Sequence, residues 1–179
     1  MIRSNHSILK QIIRRAFSLS GVLICLSLHT QTVRAQDILK DANSIIVEAR
    51  TEVLCKSMTQ SIEKESLTIT VLNHRGLDAA HFFCGCDMFR SLQKFSGEII
   101  NAGGQSVRKI KKGELQKSEY SSSLSTDDYF YYYECNYPTF PFTVKYEWEM
   151  KCNNGLIGYL PFVPQAEFNQ GVEKATYRI

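Results

Sequence analysis

Histidine is scarce in this sequence, and so are long apolar runs. Only His74 and His81 follow the first 35 residues, and both precede every cysteine except Cys55. A cysteine nucleophile needs a nearby base and an orienting carboxylate, and no such set is recognisable here. No stretch after residue 35 approaches the ~20 apolar residues of a transmembrane helix. We therefore predict that this chain is not an enzyme, has no cofactor and has no membrane span after residue 35.

An excess of positive charge is also missing once the first 35 residues are set aside. The whole chain has 21 Lys and Arg against 18 Asp and Glu, a formal charge of +3. Five of the basic residues and none of the acidic ones lie in residues 1–35, so the remainder has a formal charge of −2. A nucleic-acid partner therefore has no support from the global charge.

Residues 1–35 have the pattern of a secretory signal peptide. Four basic residues precede an apolar stretch at 16–28, and Ala35 provides a small residue at the cleavage position. A lipoprotein anchor at Cys25 is the competing interpretation, but the bulky Ile24 before it disfavours an anchor. The sequence thus predicts a cleavable signal helix, a mature domain at 36–179 and export to the periplasm or the outer cell surface.

The mature part has the pattern of an all-β domain. Apolar and polar residues alternate with period 2, and β-branched and aromatic side chains are frequent, which is typical of strands. A Ser/Thr/Asp-rich segment at 118–128 is typical of a surface loop. We predict an antiparallel β-sandwich of about eight strands with hardly any helix. The predicted strands are residues 44–57, 61–73, 79–86, 95–101, 106–110, 129–135, 142–152 and 172–178.

The order of several loose motifs resembles one bacterial family, the domain of unknown function numbered 3857. The similar segments are GEIINAGGQ at 97–105, VRKIKK at 107–112, FPFTVKYEW at 140–148 and VEKATY at 172–177, with the hairpin at 44–73. In that family the domain precedes transglutaminase-like cores in envelope proteins. The resemblance implies an exported β-sandwich whose enzyme activity would belong to a following Cys-His-Asp domain. It covers essentially all of residues 36–179.

The last residue, Ile179, falls within a strand-like run, without a closing turn or a polar tail. An edge strand cut at that point would leave backbone groups unpaired. We therefore expect the chain to lack its last strands or a following domain. A natural end at the last strand is the alternative.

Cysteine is the next candidate for chemistry. The mature chain has an odd number of cysteines, so at least one thiol is unpaired even after export. His74 and His81 together with Cys84 and Cys86 would offer four zinc ligands, but Cys-x-Cys on a strand does not form the usual zinc knuckle. We predict buried apolar cysteines and no metal site. The five cysteines are Cys55, Cys84, Cys86, Cys135 and Cys152.

A run of aromatic residues is the candidate interaction surface. Alternation places Tyr129, Tyr131 and Tyr133 on one face of their strand, and Phe140 and Phe142 follow closely. Exposed aromatic rows stack on sugars or anchor protein partners, whereas buried rows only pack the sheet. These five residues are the candidate interaction surface, and core and sheet packing is the favoured interpretation of the row.

Three functions remain open from the sequence. The favoured one is a non-catalytic accessory domain that binds a transglutaminase-like domain or another envelope protein. The second is a carbohydrate-binding sandwich that uses an aromatic strand face. The third is a thiol- or metal-dependent hydrolase that uses Cys84, Cys86 and His81.

Overall fold

The computed structural model describes residues 41–119, 127–154 and 162–179, almost all of which belong to one compact unit, Ala42–Ile179. The predicted signal peptide and most of the predicted serine-rich loop lie outside the described residues. Within the described ranges, no helix is both long and apolar enough to cross a membrane. The strands are β1 (Ser44–Ser57), β2 (Gln60–Val71), β3 (Phe82–Cys86), β4 (Arg90–Asn101), β5 (Ser106–Lys111), β6 (Gln116–Glu119), β7 (Tyr129–Tyr133), β8 (Phe142–Asn153), β9 (Gln170–Val172) and β10 (Ala175–Arg178).

These strands form two sheets, which confirms the prediction of an all-β sandwich. The seven-stranded sheet has the order β10-β1-β2-β8-β4-β5, with β9 also paired to β1, and the three-stranded sheet has the order β3-β7-β6. All pairings are antiparallel except those of β9 and β10, which run parallel to β1. We call these the large and the small sheet.

A bulge in β1 sets which of its residues face the small sheet. The β1–β2 register shifts between Ile46 and Glu48, so Ile46 and Ala49 both pair with inward-facing residues of β2. Both are buried, whereas Val47 is only half-buried. Strict alternation would place Val47 on the same face as Ala49, and it fails here because the extra residue of a bulge changes the alternation.

The core lies between the two sheets and is centred on Phe82 of the small sheet. Its ring lies 4.5 Å from that of Phe95, 5.4 Å from that of Tyr146 and 5.3 Å from that of Trp148, between ring centroids. All three partners belong to the large sheet, so one side chain connects the two layers. Inward-facing positions of β8, such as Phe142 and Val144, complete this core.

The predicted strand at 79–86 begins too early. His74–Ala80 is a short 3-10 helix, and the strand starts only at Phe82. The helix is fixed at its start by Asn73, whose side chain accepts a hydrogen bond from the Arg75 backbone N–H at 2.9 Å. Gly76 packs so closely on the main chain that a Cβ atom there would lie 2.2 Å from the Asn43 carbonyl oxygen. This contact favours glycine and a tight local helix over a longer strand.

The buried hydroxyl of Tyr146 connects this helix to the large sheet. It donates a hydrogen bond of 2.7 Å to the backbone oxygen of Ala80. Replacing Tyr146 with phenylalanine should lower the free energy of unfolding by about 1–2 kcal/mol, because a buried carbonyl loses its donor. Urea unfolding followed by fluorescence of the single tryptophan, Trp148, would measure the loss.

Tyr132 provides the matched control for that measurement. Its hydroxyl also forms a hydrogen bond, to Gln116, but that bond is exposed to solvent. Tyr132→Phe should change the stability by less than about 0.5 kcal/mol, as surface substitutions usually do. If both variants lost the same free energy of unfolding, the buried hydrogen bond of Tyr146 would add no more stability than an exposed one.

Candidate functional site

Most of the predicted aromatic surface packs against the core. Tyr133 is only 9% exposed and Phe142 only 1% exposed, so these two residues cannot belong to an exposed surface. Tyr129, Tyr131 and Phe140 are half-buried and pack against the same core. The inner face of β7 therefore carries Tyr129, Tyr131 and Tyr133, the three residues that alternation placed together. Packing within the sandwich explains why this face is aromatic.

An aromatic strip lies instead on the outer face of the small sheet. It consists of Phe83, Phe130 and Tyr132, with centroid distances of 5.0 Å between Phe83 and Phe130 and 5.7 Å between Phe130 and Tyr132. Phe83 is 56% exposed. Gly85 is paired with Phe130 across the strands and adds no side chain beside that ring. The sandwich thus presents neighbouring rings on its surface.

A cavity of about 350 Å³ lies on the inner face of the large sheet, where the small sheet does not cover it. We call it the Glu65 cavity. Its size is within the ~300–1,000 Å³ range of ligand pockets. Its floor comes from β1, β2, β4 and β8, and residues 162–166 and β10 contribute its other walls. The residues used below are Ala49, Thr51, Glu63, Glu65, Leu67, Arg90, Trp148, Phe162 and Tyr177.

Two carboxylates face this cavity from one strand, because Glu63 and Glu65 lie two residues apart on β2. Glu63 forms an ion pair of 2.9 Å with Arg90 on β4. Glu65 accepts a hydrogen bond of 3.0 Å from Trp148 Nε1. Burial, together with the charge of Glu63, raises the pKa of the Glu65 carboxyl from its usual 4.5 to about 7. Glu65 therefore changes charge near neutral pH, which is a common property of functional carboxylates.

The thiols beside the cavity are not activated as nucleophiles. Burial, and after it the neighbouring Cys86 and Glu65, raises the pKa of the Cys84 thiol to about 12. Its sulfur contacts Met150 Sδ at 3.3 Å. Burial also raises the pKa of Cys135. A nucleophilic cysteine needs the opposite shift, towards the thiolate, so the geometry does not favour the thiol chemistry considered from the sequence.

The predicted metal ligands are divided between different environments. Cys84 and Cys86 point into the core from β3, and both are buried. His74 opens the 3-10 helix, where its ring lies 6.4 Å from that of Phe140. His81 is exposed at the end of that helix. Groups of three or more potential metal ligands do not occur among the residues that the structure describes.

Alternation along β2 indicates the Glu65 cavity, although the sequence analysis above did not predict it. Glu63 and Glu65 share the alternation phase of Leu67, Ile69 and Val71, all on the inward face of β2. Charged residues in the phase of a buried row are unusual, since burying a charge is costly unless it is paired. The position of these two glutamates on the inward face of β2 therefore indicates a polar site inside the sandwich.

Comparison with known proteins identifies a fold and no family. No family model and no curated protein matches the sequence. Among solved structures, that of a proposed protease from Parabacteroides distasonis matches with a TM-score of 0.54 and 9% sequence identity. The match covers 63% of this chain and 24% of that chain, so this chain spans only a minor part of that protein.

The prediction that this chain is not an enzyme is contradicted by that match and is withdrawn. It relied on the missing nucleophile–base set, yet a similar fold occurs in a protein proposed to be a protease. At 9% identity the likeness concerns the fold alone and assigns neither an activity nor a substrate to this chain.

Proposed function

We propose that this chain is an exported β-sandwich recognition domain that binds a protein partner through the aromatic strip. The observation that carries the proposal is the exposure of Phe83 beside the ring of Phe130. Rigid aromatic side chains bury a large area at a small entropic cost, and they dominate the energetics of many interfaces. The leader pattern at 1–35 and the family resemblance support the export part of this proposal.

The resemblance to the domain 3857 family also suggests the chemical nature of the partner. In that family the neighbouring domain is transglutaminase-like, so we propose such a domain of the bacterial envelope as the partner. The structural match is with part of a longer chain, since most of the matched chain lies outside the shared region, and this supports a role beside other domains.

Substitutions in the aromatic strip should weaken the partner's binding without unfolding the domain. We expect Phe83→Ala and Tyr132→Ala each to lower the affinity about tenfold or more, the usual effect of losing an aromatic anchor. Phe168→Ala is the matched control, because Phe168 is 96% exposed but is not part of the strip. Binding of a purified transglutaminase-like envelope domain would be measured by calorimetry, and melting temperatures would confirm that the variants are folded.

A photo-crosslinker at position 83 gives a test within cells. It should capture one defined envelope protein, whereas the same group at Lys145, exposed on the large sheet, should not. Equal capture from both positions, or an unchanged affinity of Phe83→Ala, would refute the proposal.

Carbohydrate binding is the second candidate, and one observation favours it. The Tyr132 hydroxyl and Gln116 form a hydrogen bond beside the rings of the strip, which combines polar groups with stacking faces as sugar sites do. Saturable binding of a soluble peptidoglycan or polysaccharide fragment that is lost in Tyr132→Ala would support this candidate over a protein partner.

A further inference from the structure

Two carboxylates, Glu63 and Glu65, line the Glu65 cavity, and only Glu63 has an ion-pair partner among the described residues. Glu63 and Arg90 neutralise each other at 2.9 Å. At the rim, Arg50 is paired with Glu52. Among the described residues, no lysine or arginine forms an ion pair with Glu65. The ionised Glu65 carboxylate is therefore without an ion pair among these residues, and a cation placed beside it would be stabilised.

The walls around this carboxylate are apolar and aromatic. Trp148 lies against Glu65 and orients its carboxyl group by the hydrogen bond from Nε1. Phe162 and Tyr177 stand 5.5 Å apart, between ring centroids, and line the same cavity. Ala49 and Leu67 add aliphatic surface at its floor. Aromatic faces attract organic cations, and the apolar walls favour a ligand with a hydrocarbon body.

We propose that the Glu65 cavity binds a primary amine with an aromatic or branched apolar body, whose ammonium group pairs with the Glu65 carboxylate. The Trp148 indole and the pair of Phe162 and Tyr177 would enclose the body of the ligand. The Glu63–Arg90 pair holds the neighbouring charges in place, so the ammonium has one carboxylate left to neutralise. This site lies on the inner face of the large sheet, whereas the aromatic strip lies on the outer face of the small sheet.

Amine binding is coupled to the ionisation of Glu65, because only the ionised carboxylate attracts an ammonium group. The charged and titratable groups that interact with Glu65 or line its cavity are Glu63 on its own strand, Arg50 on β1, Arg90 on β4, Cys84 on β3 and Tyr177 on β10. Of these, Glu63 opposes ionisation of Glu65 and Arg90 favours it. The pKa of Glu65 near 7 implies that binding at neutral pH releases a proton and strengthens as the pH rises from 5 to 8.

Phenethylamine and its neutral analogue 2-phenylethanol provide the test with the full exported protein. At pH 8 we expect the amine to bind at least tenfold more tightly than the alcohol in titration calorimetry. Glu65→Gln should weaken the amine at least tenfold and leave the alcohol within twofold. Glu149→Gln is the control variant, since Glu149 pairs with Lys94 on the outer face of the large sheet.

The pH dependence of the unmodified protein provides a second measurement that needs no variant. Amine affinity should fall by tens of fold from pH 8 to pH 5, as Glu65 becomes protonated. The proposal is overturned if neither probe binds at millimolar concentration, if both bind equally at pH 8, or if Glu65→Gln leaves amine binding unchanged. Phe83→Ala should not alter amine binding, so a failure here is distinct from a failure of the proposed function.

Discussion

Replacing Phe82 with alanine is expected to lower the free energy of unfolding by about 3–5 kcal/mol, the usual cost of deleting a buried phenylalanine. Phe82 is 3% exposed, and its ring contacts Phe95, Tyr146 and Trp148 across the core. The deletion would leave a void between the two sheets and remove three aromatic contacts at once. Since the free energy of unfolding of a domain is only ~5–15 kcal/mol, this variant would lose much of its stability.

Phe83→Ala is the matched comparison, because the two phenylalanines are neighbours on opposite faces of β3. Phe83 faces outward beside Phe130, so its loss should cost less than about 1 kcal/mol. Chemical denaturation of both variants would provide the two values. Similar costs for Phe82 and Phe83 would contradict the assignment of the inner and outer faces of the small sheet.

The second large expected effect is a decrease in folding stability with rising pH, caused by Glu65. Below about pH 4.5 this carboxyl is protonated in both the folded and the unfolded chain. As the pH rises towards 7, the unfolded chain releases the proton while the folded protein retains it, so folding becomes less favourable. A pKa raised from 4.5 to about 7 corresponds to a loss of about 3 kcal/mol over this range. Above pH 7 the loss is complete.

Glu65→Gln should remove this dependence, because glutamine still accepts the Trp148 hydrogen bond but does not ionise. Relative to the unmodified protein, we expect the variant to gain about 2–3 kcal/mol between pH 5 and pH 8. Urea denaturation at both pH values would measure the gain. Glu149→Gln, which removes a carboxylate from the outer face of β8 together with its ion pair to Lys94, is the control variant. A constant difference between Glu65→Gln and the unmodified protein would contradict the raised pKa.

Strand positions could be predicted wherever one face of a strand is buried. Alternation identified β1, β2, β4, β5, β7 and β8, because burial of one face imposes period 2 on the sequence. It missed β6, whose sequence QKSE has no apolar face, and it merged β9 with β10. Both errors concern short strands at the margins of the sheets, which are formed mainly by backbone hydrogen bonds.

The residues of the two candidate sites were harder to predict than the strands. Alternation divided the aromatic residues of β7 correctly into two faces, but it could not tell which face is covered, since both are aromatic. Only the pairing with β3, which brings Phe83 beside Phe130, distinguishes the outer face. The Glu65 cavity likewise depends on contacts between distant segments, such as Glu63 with Arg90 and Phe162 with Tyr177. Such contacts are not encoded in local patterns.

The parallel pairing of β9 and β10 with β1 has a consequence for the order of folding. The β1–β2 hairpin closes over a very short turn, so it can form within microseconds. The other edge of β1 must wait for residues such as Gln170, which is 126 positions after Ser44. Contacts at such separations are slow because a long loop must close first. During synthesis, β1 therefore has an open edge, and that edge is where newly made chains would associate wrongly with one another.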